Sequence, residues 1–215
     1  RAGIADNTLV IFTSDNGCAP VPPVGVGRLE AQGHYPSAQF RGYKSDIWDG
    51  GHRIPFIVRW PGEVFPGTQC GQLTCLTDLM ATCAEIVGAS LPDDAGEDSV
   101  STLPLLRGSR RSVRDSVVHH SIYGRFAIRK EEWKLVCCPG SGGWTKPSDS
   151  EAEEQGLPSM QLYNLAEDPA EQENLYEERP QVVEQLLGLL KRDVERGRST
   201  PGENQQNDVS VSVFK

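Results

Sequence analysis

Apolar positions along the chain fall into three patterns. A continuous run, Leu9-Val10-Ile11-Phe12, ends in the polar triplet Asp15-Asn16-Gly17. It predicts a buried, parallel-type strand that carries a carboxylate and an amide to its carboxyl edge, where α/β sheets place ligands. Phe56 to Trp60 reads as a second strand, stopped by Pro61-Gly62. The second pattern is helical: Leu79, Ala81-Thr82-Cys83 and Ile86-Val87 predict a helix from Thr77 to Val87, capped by Thr77 and stopped by Gly88. Val183, Leu186, Leu187, Leu190 and Val194 predict another from Pro180 to Arg196, with proline in its first turn. The third is a set of short strands after Ser116: Val117–His120, Phe126–Arg129, Trp133–Val136 and Gln161–Leu165, with Lys130-Glu131-Glu132 short enough for a hairpin. Ala19–Gly33 is too irregular for either period, and Leu91–Gly108 reads as an exposed connection anchored by Leu103, Leu105 and Leu106. Pro139–Ser159 has the composition of a surface loop. Past Gly197 the polar composition predicts a disordered tail.

Strands and helices first, then an antiparallel run with one helix, indicate an α/β body followed by an α+β ending. The expected division is residues 1–108, residues 109–197 and a tail at 198–215. A net charge of −9 argues against a broad nucleic-acid or anionic-membrane surface, while leaving room for a local basic pocket. No apolar run approaches the roughly 20 residues that span a bilayer. The chain has no initiator Met and no signal peptide, and it opens a few residues before a core strand, which is the expected look of a truncated piece. Six cysteines lack zinc-finger spacing, so buried thiols, one or two disulfides and a metal cluster stay open in that order.

Taken alone, Asp15-Asn16-Gly17 favours an Asx-type turn over a cation site. Further motifs change the balance. The ordered set SDNG, RGYKSDIWDGGHRIPFIVRWPG and LYNLAEDPAEQENL, from about Asp6 to about Arg196, resembles the sulfatase family, arylsulfatase A-like and within the alkaline phosphatase superfamily. The resemblance is to the carboxyl-terminal portion only. It implies the end of an alkaline-phosphatase-like α/β sheet domain, followed by a small antiparallel sheet packed by a helix.

By the same resemblance, Asp15 and Asn16 supply two calcium ligands and Lys44 contacts the sulfate. Oxygen donors suit a hard cation, and a lysine ammonium acts as a compact point charge on a flexible stem. Without the flanking motif Lys44 reads as a solvated surface lysine. Asp49-Gly50-Gly51 stands where the family commonly has Glu before two glycines, so a salt bridge at that position is in doubt. Arg53 reads first as a brace for the loop, and Arg41 as shaping the site. His34 and His52 are open as substrate contacts, with a structural role preferred for each. His119 and His120 face opposite sides of a strand and both read as structural. The loop Ser141-Gly142-Gly143-Trp144 is open as a border of the substrate entrance, or as a merely exposed loop.

Cys18-Ala19-Pro20 imitates the start of the family's C-x-P-x-R nucleophile signature, in which Cys or Ser becomes formylglycine, but position 22 is Pro rather than Arg. The formylglycine is therefore expected in an upstream segment of the same protein, as are an Asp-Asp metal pair and further catalytic Lys and His residues. A cation with only two protein ligands falls short of the six to eight oxygens typical of calcium. The expectation is that the chain by itself is inactive and binds calcium weakly. The implied function is hydrolysis of an aryl sulfate or a sulfated carbohydrate. A phosphoesterase or phosphonate monoester hydrolase of the same superfamily, and a non-catalytic sulfated-glycan-binding remnant, are the alternatives. Family habit places bacterial members in the periplasm or outside the cell and animal ones in the lysosome.

Overall fold

A computed structural model describes residues 2–214. After a single 3-10 turn at Ala5–Asn7 come β1 (Val10–Thr13), α1 (Val26–Ala31), α2 (Asp49–His52), β2 (Phe56–Arg59), α3 (Asp78–Val87) and α4 (Leu103–Leu106). They are followed by β3 (Val117–His120), β4 (Phe126–Lys130), β5 (Trp133–Val136), α5 (Asp149–Glu154), β6 (Gln161–Asn164) and α6 (Pro180–Arg196). The mixed α/β and α+β class holds. Two compact units divide the chain: one takes the residues up to Ser14, Pro55–Val117 and Asp193–Asp208, and the other Asp15–Ile54, Val118–Arg192 and the residues from Val209. This differs from the sequential division at residue 108, because Asp15–Ile54 joins the unit of β4, β5 and β6 rather than that of β1 and β2.

In the first unit β1 and β2 pair antiparallel, from Val10 opposite Arg59 to Thr13 opposite Phe56. The expected parallel-type burial of β1 is therefore corrected. An apolar run marks a strand without fixing its direction, and Phe12 is 64% and Ile57 60% exposed. α3 takes nearly the predicted range, closed by Gly88 in the left-handed region at φ 70°. Its anchor is Asp78 rather than the Thr77 hydroxyl: the buried carboxylate accepts from the Cys75 and Val100 amides and pairs with Arg114 at 2.7 Å. Thr82 and Thr102 join by a 3.0 Å hydroxyl contact, which ties α3 to the start of α4. The stretch after Gly197 is also held, contrary to its composition. Arg198, buried, donates to the carbonyls of Asp93 at 3.1 Å and Glu203 at 2.9 Å, and the Thr200 hydroxyl to that of Glu97 at 2.6 Å. Such polar anchoring leaves no mark in hydropathy.

In the second unit the sheet runs in the order β3-β4-β5-β6. β4 and β5 form the expected hairpin, with Lys130 opposite Trp133 and Glu131 at φ 52° in the turn. β5 and β6 pair antiparallel from Trp133–Asn164 to Val136–Gln161. Ile47, Trp48, Ala127, Val136, Cys138, Tyr163 and Leu165 form the core. Two expected loops contain helices. α1 lies within Ala19–Gly33, with Val26 buried. Within Pro139–Ser159, Ser148 and Glu151 close a reciprocal capping box on α5: the serine oxygen accepts the Glu151 amide at 3.2 Å and the glutamate accepts the Ser148 amide at 2.8 Å. That S-x-x-E signal was submerged in a Gly- and Ser-rich context. α6 follows the prediction, with Val183, Leu186 and Leu190 buried. No described helix is long and apolar enough to cross a membrane.

Candidate functional site

Asp15 and Asn16 leave β1 into a turn whose backbone packs against the loop that follows α1. The Gly17 amide donates to the Gly51 carbonyl at 2.9 Å, and the Lys44 amide to the Cys18 carbonyl at 2.9 Å. This approach needs glycine. A Cβ on Gly17 would stand 1.8 Å from the Gly50 carbonyl oxygen, and one on Gly50 would stand 2.1 Å from that of Gly42. The sequence therefore joins SDNG, RGYK and DGG through main-chain contacts. Asp15 is exposed, while Asn16 and Lys44 are half-buried. The Asn16 amide nitrogen donates to the Gly17 carbonyl at 3.1 Å.

The turn that bears Lys44 is closed by Asp46. Its amide donates to the Tyr43 carbonyl at 3.0 Å, and its carboxylate accepts the Tyr43 amide at 2.9 Å. Ser45 takes φ 86°, an uncommon conformation for a residue with a side chain. The same carboxylate accepts the Trp144 amide at 2.9 Å, the Thr145 amide at 3.1 Å and the Thr145 hydroxyl at 2.7 Å. Burial raises the Asp46 pKa against the lowering effect of the Thr145 and Trp144 bonds.

Behind this loop lies a charge cluster that the sequence reading did not identify. Lys134 on β5, fully buried, donates to Asp49 Oδ1 at 2.8 Å and lies 2.8 Å from Glu171 Oε1. The Asp49 amide donates to Glu171 Oε2 at 2.6 Å. Burial works against the lysine ammonium, but Glu171 and Asp49 outweigh it and raise its pKa. Burial also works against the Asp49 carboxylate, and Lys134 outweighs it, so its pKa is lowered. For Glu171 burial dominates and, with Asp49 beside it, raises the pKa. The doubt over the shorter carboxylate at position 49 is thereby resolved, since Asp49 keeps its ion pair by direct contact. The one signal available was Lys134 in an otherwise apolar strand.

The remaining candidates separate. The Arg41 guanidinium lies 3.6 Å from the Trp48 ring centroid and donates to the Glu171 carbonyl at 2.9 Å and the Tyr163 hydroxyl at 3.3 Å. Arg53 lies 3.6 Å from Asp49 Oδ2 and over the Phe40 ring at 4.4 Å. Both sit as braces. The His52 ring lies 4.3 Å from that of His119, and its Nε2 is buried with no hydrogen-bond partner. Burial, aided by Lys134, holds the His52 pKa down to about 4. The same two causes hold His119 well below its usual value, and its Nε2 lies 3.3 Å from the Ile47 carbonyl. His120 and His34 are exposed, and the His34 amide donates to the Leu29 carbonyl at 2.9 Å. Among the described residues all six cysteines are free thiols, and no group of three His, Cys, Asp or Glu side chains could hold a metal.

A family profile described as Sulfatase matches residues 1–89. An N-acetylgalactosamine-6-O-sulfatase of Bacteroides thetaiotaomicron is 36% identical over 87% of this chain and 36% of its own length. Human arylsulfatase A is 31% identical over 88% of this chain and 38% of its own. A solved structure from a glycosaminoglycan-metabolism locus of Bacteroides thetaiotaomicron superposes with a TM-score of 0.74 at 35% identity, covering 88% of this chain and 39% of that one. A sulfatase structure from Pseudoalteromonas sp. gives 0.67 at 25% identity, covering 89% and 38%. The chain thus spans little more than a third of the length of these relatives. Its motifs, its fold and its relatives agree, and the chain belongs to the sulfatase family, of which it represents a carboxyl-terminal region.

Proposed function

We propose that the chain contributes the Asp15, Asn16 and Lys44 side of a site that hydrolyses sulfate esters, with the nucleophile supplied by a segment outside it. The observation that carries this reading is the pair of main-chain bonds, Gly17 to Gly51 and Lys44 to Cys18, that brings the three residues into one turn cluster. A sulfate ester is a tetrahedral anion whose leaving oxygen gains charge as the S–O bond breaks, so cations set around its oxygens lower the barrier. Lys44 is the chain's cation for that task. The Asp46-closed turn fixes its backbone, and little ordering is left for the moment of reaction.

A hard divalent cation fits the donors at hand. Asp15 offers a carboxylate at the exposed surface, and Asn16 carries an amide oxygen on the same turn. These would be two of the six to eight oxygens that calcium takes. Bound there, calcium would supply Lewis-acid stabilisation of charge on the sulfate oxygens. The relative that acts on N-acetylgalactosamine 6-sulfate by its name makes a sulfated saccharide the first substrate to test.

The test is steady-state hydrolysis by the full-length gene product of sulfate esters and matched phosphate esters, with and without calcium. Sulfate esters should be the better substrates, and Lys44→Ala should lower kcat/KM about 10²–10³-fold, the usual cost of deleting one oxyanion donor. Preference for phosphate esters, or a Lys44→Ala variant of normal activity, would overturn the reading. So would robust calcium-dependent turnover by the purified 215-residue chain.

A further inference from the structure

Two loops of the second unit reach the turn that bears Lys44, and both expose large apolar side chains. The Ile122 amide donates to the Ser45 carbonyl at 3.1 Å, which fixes the Ser121–Gly124 turn immediately after Lys44. The Ser141–Thr145 loop is fixed to the next residues: the Ile47 amide donates to the Ser141 carbonyl at 2.8 Å, and the Asp46 carboxylate holds Trp144 and Thr145. Gly143 sits so close that an added Cβ would stand 2.4 Å from the Ser45 carbonyl oxygen. The two loops also join each other, since a Cβ on Gly142 would stand 3.0 Å from the Ser121 hydroxyl and from Arg125 Cγ. Ser121, Ser141, Gly140 and Gly142 are buried.

Against that buried frame, Tyr123 is 62% exposed, Ile122 53% and Trp144 46%. Tryptophan and tyrosine side chains on rigid main chain give large contact area at little entropic cost, with a polar tip for hydrogen bonding. Nothing in the core requires them there. Core packing in this unit is carried by Trp48, Tyr163 and aliphatic residues. Aromatic side chains on loops tethered to the turn that bears a lysine suit a molecule that is charged at one end and has an apolar face at the other. A sulfated monosaccharide has both: ester oxygens that a lysine can meet, and a C–H ring face that an aromatic plane can cover.

We propose that Trp144 and Tyr123 form a sugar-binding wall beside Lys44 and select sulfated saccharides as the substrate class. The proposal rests on the reading that Lys44 meets the sulfate group. Asp46 is the positioning residue of the wall, because its one carboxylate fixes the Lys44 turn and the Trp144 loop together. Trp144 and Tyr123 determine specificity through their rings.

The experiment compares two quantities in the full-length gene product: KM for N-acetylgalactosamine 6-sulfate or galactose 6-sulfate, and the inhibition constant of inorganic sulfate, which has no sugar face. Trp144→Ala should raise the ratio of saccharide KM to sulfate inhibition constant tenfold or more. Tyr123→Ala should move it in the same direction, and Trp144→Phe should restore most of it. Lys44→Ala should weaken both quantities together. An unchanged ratio in Trp144→Ala and Tyr123→Ala, alongside a Lys44→Ala variant that loses sulfate inhibition, would overturn the wall and leave the Lys44 reading standing. Turnover of 4-nitrophenyl sulfate without saturable hydrolysis of either sugar would do the same. Sulfate inhibition unaltered by Lys44→Ala would sink the Lys44 reading and, with it, the wall.

Discussion

Replacing Lys134 by Met keeps the length of the side chain and removes a single charge at a position with no solvent exposure. The two carboxylates it serves have side chains 7% and 0% exposed. Removing one partner of a buried ion pair leaves an uncompensated charge and costs about 3–5 kcal/mol. For a chain of this size each kcal/mol shifts Tm by about 2–4 °C, so Lys134→Met should melt roughly 6–20 °C lower. The deficit should also depend on pH with a definite sign. Without the ammonium, Glu171, already raised by burial and by Asp49, holds its proton to still higher pH than in the unfolded chain. The folded variant therefore binds the extra proton, and its stability rises as pH falls. Thermal melts followed by circular dichroism at pH 8 and pH 5 should show the larger deficit at pH 8. Replacing all three groups, as Asp49→Asn, Lys134→Met and Glu171→Gln, should recover much of the loss, because the penalty lies in the unpaired charge. A melting point within about 2 °C of the wild type, about 1 kcal/mol, or a deficit that grows on acidification, would refute the assignment of a charge-neutralising role to Lys134.

Three further outcomes are expected. His52, held neutral down to a pKa of about 4 by burial, should make folding weaken as pH falls. The loss begins near 6.5, where the unfolded imidazole takes up its proton, and reaches about 3 kcal/mol near pH 4; urea titrations of His52→Gln across that window should show a flatter pH dependence. Gly17→Ala, whose new methyl would sit 1.8 Å from a carbonyl oxygen, should cost at least about 1–3 kcal/mol by overpacking, read from denaturant midpoints. Ser148→Ala removes the capping hydroxyl of α5 and should cost about 1 kcal/mol by the same measurement, with hydrogen exchange increasing first in that helix.

Elements governed by periodicity were legible in the sequence. α3 and α6, the β4–β5 hairpin and β6 fall within a residue or two of their predicted limits, because an apolar face at a regular spacing has one economical burial. Strand direction was not legible. Nothing in Leu9–Phe12 distinguishes a parallel partner from the antiparallel β2 that it meets. α5 was hidden because its specification is a capping box of polar atoms, and the stretch beyond Gly197 because Arg198 and Thr200 anchor it through carbonyls. At the candidate site the sequence named Asp15, Asn16, Lys44, Arg41, His52 and Arg53 but not what supports them. Lys134 and Glu171 lie far along the chain from Asp49, and only the folded sheet brings their charges within 2.8 Å. Asp46 looked like one acidic residue among many, although it ties two loops together.

The grip of Asp46 on its neighbour is made to the peptide amides of Trp144 and Thr145 and to one hydroxyl, never to the indole. A main-chain amide is the same group whatever residue bears it. The identity of the side chain at position 144 can therefore drift through mutation while the clasp that orients it stays intact. Here the fold offers a socket into which variation, natural or engineered, can plug different chemical faces. Exchange at one or two exposed positions would then change the surface chemistry of the loop and leave its backbone anchoring as it was.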